Sequence, residues 1–126
     1  MLRTYTIHHL SDQKFKDAHN PSKCSWPHDY ITDVAKITIE VEWYIKDPAY
    51  YLFDIFRIAQ SKEKYWAENA EVSDVKPKTG GEFIGSVVNK WRALSVGDVI
   101  SDDEGNIHRV VPCDFVPLIL KGRWVN

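Results

Sequence analysis

YITDVAKITIEVEWYIKDPAYYLFDIFRIAQ (Tyr30–Gln60) changes its hydrophobic period midway, and that change decides the fold. Ile37, Ile39, Val41 and Trp43 share one parity, and Lys36, Thr38, Glu40 and Glu42 share the other. Such alternation describes a strand with one face in a core and one face in water. Beyond Asp47-Pro48 the spacing becomes helical, with Leu52, Ile55, Phe56 and Ala59 on one stripe. Asp47 is a capping residue type. Pro48 suits the first helical position, where its missing N–H costs nothing. The stretch therefore predicts a strand within 35–45 and a helix over 48–60.

Outward from there, LRTYTIHHL (residues 2–10) alternates and predicts a first strand. Residues 11–29 are polar, contain Pro21 and Pro27, and read as a long loop with a helical turn around Asp12–Ala18. A short helical turn is expected over Glu63–Glu68. Residues 70–82 form a connector with Pro77 and Gly80–Gly81, and the pattern of 83–92 does not choose between strand and helix. Val99–Ile100 and Ile107–Val111 flank SDDEGN. This is a hairpin in which Gly105 supplies the positive φ of the turn. Phe115–Leu120 closes the series as a last strand. The fold class is α+β: a single domain over 1–126 with an antiparallel sheet and one main helix packed on one face. Strands are expected near 2–8, 35–45, 97–101, 107–112 and 115–120.

The chain has 126 residues, 44% hydrophobic and 27% charged, enough for a core without metal or disulfide staples. The net charge is −2 with both signs spread along the chain, which argues against nonspecific nucleic-acid binding. No window is apolar enough to span a membrane, and no signal-peptide pattern opens the sequence. A cytoplasmic location is the expectation by elimination. Cys24 and Cys113 are far apart in sequence and carry no disulfide signature.

The most compact motif is SVGDV (Ser95–Val99). Gly97 can adopt backbone angles closed to other residues, and Asp98 and Ser95 can hydrogen-bond nearby amides. The spaced glycines and the lysine of a phosphate-cradling loop are missing. Ser95, Gly97 and Asp98 therefore read as a structural turn.

RALSVGDV (residues 92–99) resembles the RSxSVGDV signature of small proteins of phages, plasmids and other mobile elements, with Ala93 where serine is usual. Gln60, Trp66, Asn69 and Val72 within FRIAQSKEKYWAENAEV are similar to the same group's upstream pattern, and HRVVPCDFVPL to its closing strand. The resemblance covers roughly the last two-thirds of the chain. Residues 11–29 have no counterpart in it. The resemblance implies an accessory protein that blunts or redirects host machinery by binding, and it transfers no catalytic residue.

Candidate chemistry is sparse. His19, Cys24 and His28 lie in one loop, but their spacing matches no compact zinc motif and a fourth ligand would have to be His8 or His9. The expectation is no metal. His9-Leu-Ser11 is an H-x-S triplet without the second triplet that a two-histidine phosphoesterase needs. Cys113 near His108 reads as a small buried hydrophobe, and Asp102, Asp103 and Glu104 as a solvated hairpin tip. No catalytic residue and no cofactor are assigned.

Two functions compete. The first is a non-enzymatic binder of a host protein. The second is a small-ligand binder sequestering a nucleotide signal, with Trp66 stacking on a base, Asn69 hydrogen-bonding it, and Arg92 and Arg109 on phosphate. Self-association is also expected. Trp43, Trp91 and Trp124 exceed what one helix can cover, so a homodimer would shield the open sheet face.

Overall fold

A computed structural model describes residues 1–78 and 90–125. Gly80–Gly81 and most of the undecided segment 83–92 lie outside the described residues. The fold is α+β, with one sheet of seven strands and one main helix among the described residues. The strands are β1 (Leu2–His8), β2 (Ala35–Glu40), β3 (Val72–Ser73), β4 (Val99–Asp102), β5 (Ile107–Val111), β6 (Asp114–Leu120) and β7 (Arg123–Trp124). Their order is β3-β2-β1-β4-β5-β6-β7, and every pairing is antiparallel. The helix α1 spans Leu52–Ile58.

Register explains the two faces. Tyr5 pairs with Ile37, and Ile7 with Ala35 and Ile100, so these side chains share one face. They form one buried cluster with Leu52 and Ile55 of α1 and with Trp66, Trp91 and Leu94. On the opposite face Thr4 pairs with Thr38 and Thr6 with Lys36, a polar strip at the β1–β2 side.

Three expectations need correction. The strand expected over 35–45 stops at Glu40. Leu2↔Glu40 is the last rung, and the Val41 amide donates to the Met1 carbonyl at 2.8 Å just beyond it. The chain then turns, so Trp43, expected on the core face, is 73% exposed. The helix is shorter than 48–60. Asp47 does cap, accepting the Ala49 amide at 2.9 Å, but it caps a turn over Pro48–Tyr51 that precedes α1. Finally, the sheet face expected to lack an internal cover has one. Residues 11–29 leave the sheet and return to it, closed at their feet by the Leu10↔Tyr30 bridge. They fold through two 3₁₀ turns, Phe15–Asp17 and Pro21–Lys23, and bring Ala18 and Cys24 into a second core with Leu10, Tyr30 and Val99.

The C-terminal tail is a strand. Lys121 and Gly122 turn it back with positive φ, and the Gly122 amide donates to the Gly105 carbonyl at 2.9 Å. No helix is long and apolar enough to cross a membrane among the described residues.

Candidate functional site

The Ser95–Asp98 segment is a tight turn closed by the Asp98 amide on the Ser95 carbonyl at 3.0 Å. Gly97 sits in its third position with φ of 95°, where an L side chain is strained. The approach of the loop adds a second reason for glycine. A Cβ placed on Gly97 would lie 2.8 Å from the Ala18 Cβ.

Asp98 is wholly buried and its carboxylate is the hub of the region. Its Oδ1 accepts the Leu10 amide at 2.8 Å and Arg92 Nη2 at 2.7 Å. Its Oδ2 accepts the Ser95 amide at 2.8 Å and Arg92 Nη1 at 2.5 Å. Burial pushes this carboxyl up, and the Arg92 guanidinium with the two amides opposes the push. Arg92 also donates to the Leu10 carbonyl and lies 4.0 Å above the Phe15 ring. Tyr30 completes the attachment by donating its hydroxyl to the Gly97 carbonyl at 2.6 Å. Every one of these bonds joins the SVGDV turn or Arg92 to a foot or flank of the 11–29 excursion, or holds the turn itself.

The residues expected to form a nucleotide site are placed differently. Trp66 has no exposed surface, so neither ring face is open to a base. Its Nε1 donates to the Trp91 and Arg92 carbonyls at 3.1 and 3.0 Å. Asn69 Nδ2 donates at 2.9 Å to the Ile58 carbonyl, one of the orphan acceptors at the end of α1. The pair follows a short 3₁₀ turn, Trp66–Glu68, not an α-helix. Arg92 is committed to Asp98. Arg109 is buried on β5 and reaches the Ala18 and Pro21 carbonyls. The expected four-residue ligand face is therefore not assembled. Gln60 behaves like Trp66 and Asn69, donating Nε2 to the Leu94 carbonyl at 2.8 Å. All three tie the segment after α1 to other backbone.

The remaining titratable residues are dispersed. Cys24 is buried and its Sγ donates to the Asp17 carbonyl, while His19 and His28 are exposed. The described residues hold no group of three His, Cys, Asp or Glu side chains placed to bind a metal. Cys113, expected to be buried, is exposed with φ of 62° in the turn between β5 and β6, whereas His108 is buried opposite Pro117. Asp102 organises the β4–β5 hairpin by accepting the Glu104 and Asn106 amides, and Glu104 pairs with Arg3.

His8 ends β1 and His9 follows it, and both are buried. Burial pushes His8 down to about 4 and His9 down to about 3. His8 Nδ1 faces the Asp33 amide at 3.4 Å and its Nε2 meets Ser101 Oγ at 2.7 Å, a pattern that a neutral ring satisfies. His9 lies edge-on to Trp91 and Trp66.

The exposed chemistry lies elsewhere. Trp43, Tyr44 and Tyr50 on the segment between β2 and α1, and Phe53 in the first turn of α1, are 73, 57, 57 and 55% exposed. Comparison with protein-family models, with curated proteins and with solved structures gave no match.

Proposed function

We propose that this chain is a non-enzymatic accessory protein of a phage or other mobile element. In this reading it acts in the host cytoplasm by binding, and thereby inhibiting or redirecting, a host protein. The observation that carries the reading is the exposure of four large aromatics close together in sequence, Trp43, Tyr44, Tyr50 and Phe53. Trp and Tyr are the residues that most often anchor protein interfaces, because they bury much area with few rotors. Their solvation here is not a folding requirement, since the core closes without them. The mobile-element setting rests on the resemblance of residues 92–99 and of Gln60, Trp66, Asn69 and Val72.

The non-enzymatic reading has a structural support as well. His8, Asp98 and Arg92 spend their polar atoms on internal hydrogen bonds, and the turn motif works as a fastening.

Affinity capture from host lysate with wild-type protein and with a W43A/Y44A variant, side by side, tests the proposal. A host protein retained in stoichiometric amount by the wild type and lost from the folded variant is the expected result. Equal retention by both, or retention of a small molecule alone, would refute the assignment of this surface.

A further inference from the structure

Arg109 is 4% exposed, and no carboxylate of the described residues lies within ion-pair distance of it. Its Nη2 and Nη1 reach the Ala18 and Pro21 carbonyls at 3.3 and 3.5 Å. Both contacts are long, and a guanidinium has five N–H donors to satisfy. Carbonyl dipoles solvate the cation without neutralising it, which leaves the buried positive charge without a carboxylate among the described residues. Arg92 shows the contrast, with the Asp98 carboxylate bound in two-pronged fashion.

Arg109 also lines a groove of about 360 Å³ beside the outer strands β6 and β7. Cys24, Trp26, Val116, Leu118 and Trp124 supply most of the remaining wall. Val116 and Trp124 are 45 and 60% exposed, so the groove opens to solvent. Trp26 is held by Tyr30 and His8, at ring distances of 5.3 and 4.8 Å, and so presents a fixed aromatic wall. One cation with no carboxylate partner among the described residues, in a largely apolar groove, describes a receptor with one charge to satisfy.

We infer that this groove binds a small organic monocarboxylate with a flat apolar body, its carboxylate on Arg109 and its body against Trp26 and Trp124. A carboxylate matches the planar fork of a guanidinium and replaces the 3.5 Å contact to the Pro21 carbonyl, the weaker of the two. A phosphate dianion fits less well, because Arg109 is the one Lys or Arg in the lining among the described residues. The groove shares no lining residue with the exposed aromatics at 43–53 and does not depend on a protein partner.

Calorimetric titration of the full chain with naphthylacetate, with its neutral amide and with inorganic phosphate tests the inference. A map of amide shift changes in the wild-type protein accompanies it. The acid is expected to bind about tenfold or more tightly than the amide. Shifts should centre on Trp26, Arg109, Val116 and Trp124. Trp124→Ala, on an exposed edge, should weaken binding by about tenfold with an unchanged thermal melt. Arg109→Lys keeps the charge but not the fork, and should weaken binding of the acid while leaving that of the amide in place. Equal binding of acid and amide, tighter binding of phosphate, or shifts centred elsewhere would overturn the assignment. So would no heat from the acid at about 10 mM, or sedimentation showing a second copy seated in the groove.

Discussion

Asp98 and Arg92 face each other through two charge-assisted hydrogen bonds of 2.7 and 2.5 Å, six residues apart on opposite sides of the Gly97 turn. The pair does not stand alone. Asp98 takes the Leu10 amide and Arg92 gives to the Leu10 carbonyl, so one residue of the excursion foot is gripped by both partners. The segment with the clearest sequence pattern thus fastens the segment with the least.

Gly97→Ala is expected to cost about 2–4 kcal/mol. Positive φ accounts for part, and overlap with Ala18 for the rest. Ala18→Gly in the same chain should recover only the part owed to the Ala18 Cβ, since the Ala18 Cα and carbonyl oxygen stay at 3.0 and 3.1 Å from the added Cβ. Chemical denaturation of the two single variants and the double variant measures the coupling. Strict additivity would show that the 2.8 Å approach does not matter.

Much of the fold was legible because it is periodic. The alternation from Lys36 to Glu40, the helical stripe of Leu52 and Ile55, and the glycine of the β4–β5 hairpin each signal their structure locally. The end of β2 was not legible. Alternation continues to Trp43, but the β1–β2 ladder stops at Leu2↔Glu40 and the chain turns at Trp43–Tyr44. The second core was hidden for another reason. Ala18, Cys24 and Tyr30 are apolar at irregular spacing, and they meet Val99 only because the turn motif draws the loop in. Arg92 was legible as a cation and not as the partner of Asp98, because six residues of separation match no helix or strand neighbour rule. The exposure of Trp43 and the groove at Arg109 depend on tertiary closure alone.

Stability should fall as pH drops. Burial holds His8 at about 4 and His9 at about 3, both below the ordinary value of about 6.5. The native state therefore binds fewer protons than the unfolded chain below pH of about 6.5. Stability present above that value is lost progressively down to the folded values, by at most roughly 3 kcal/mol for His8 and roughly 5 kcal/mol for His9. Urea midpoints between neutral pH and about pH 4 check this. A His8→Gln variant should show a shallower acid limb. Midpoints that stay flat over this range would contradict neutral buried rings.

Trp66→Phe should cost about 2–4 kcal/mol, because the Trp91 and Arg92 carbonyls lose their donor and the core loses volume. Thermal or urea unfolding reads this directly. A stability within about 0.5 kcal/mol of wild type would mean that the indole is not a core strut.

Trp43→Ala and Tyr44→Ala should change stability by less than about 0.5 kcal/mol each, since both side chains stand in water. A large loss in either would place these aromatics in a contact within the chain, and would count against their role in partner binding.

Amide hydrogen exchange of Asp98→Ala against wild type reads whether the SVGDV turn fastens residues 11–29. Removing the carboxylate strands the Leu10 and Ser95 amides and leaves the Arg92 charge unpaired, at a cost of about 3–5 kcal/mol. Protection should collapse first across 10–31 and to a smaller degree in β1 and β2. Wild-type protection and stability in Asp98→Ala, together with lost partner binding, would contradict the account and make the motif a contact site.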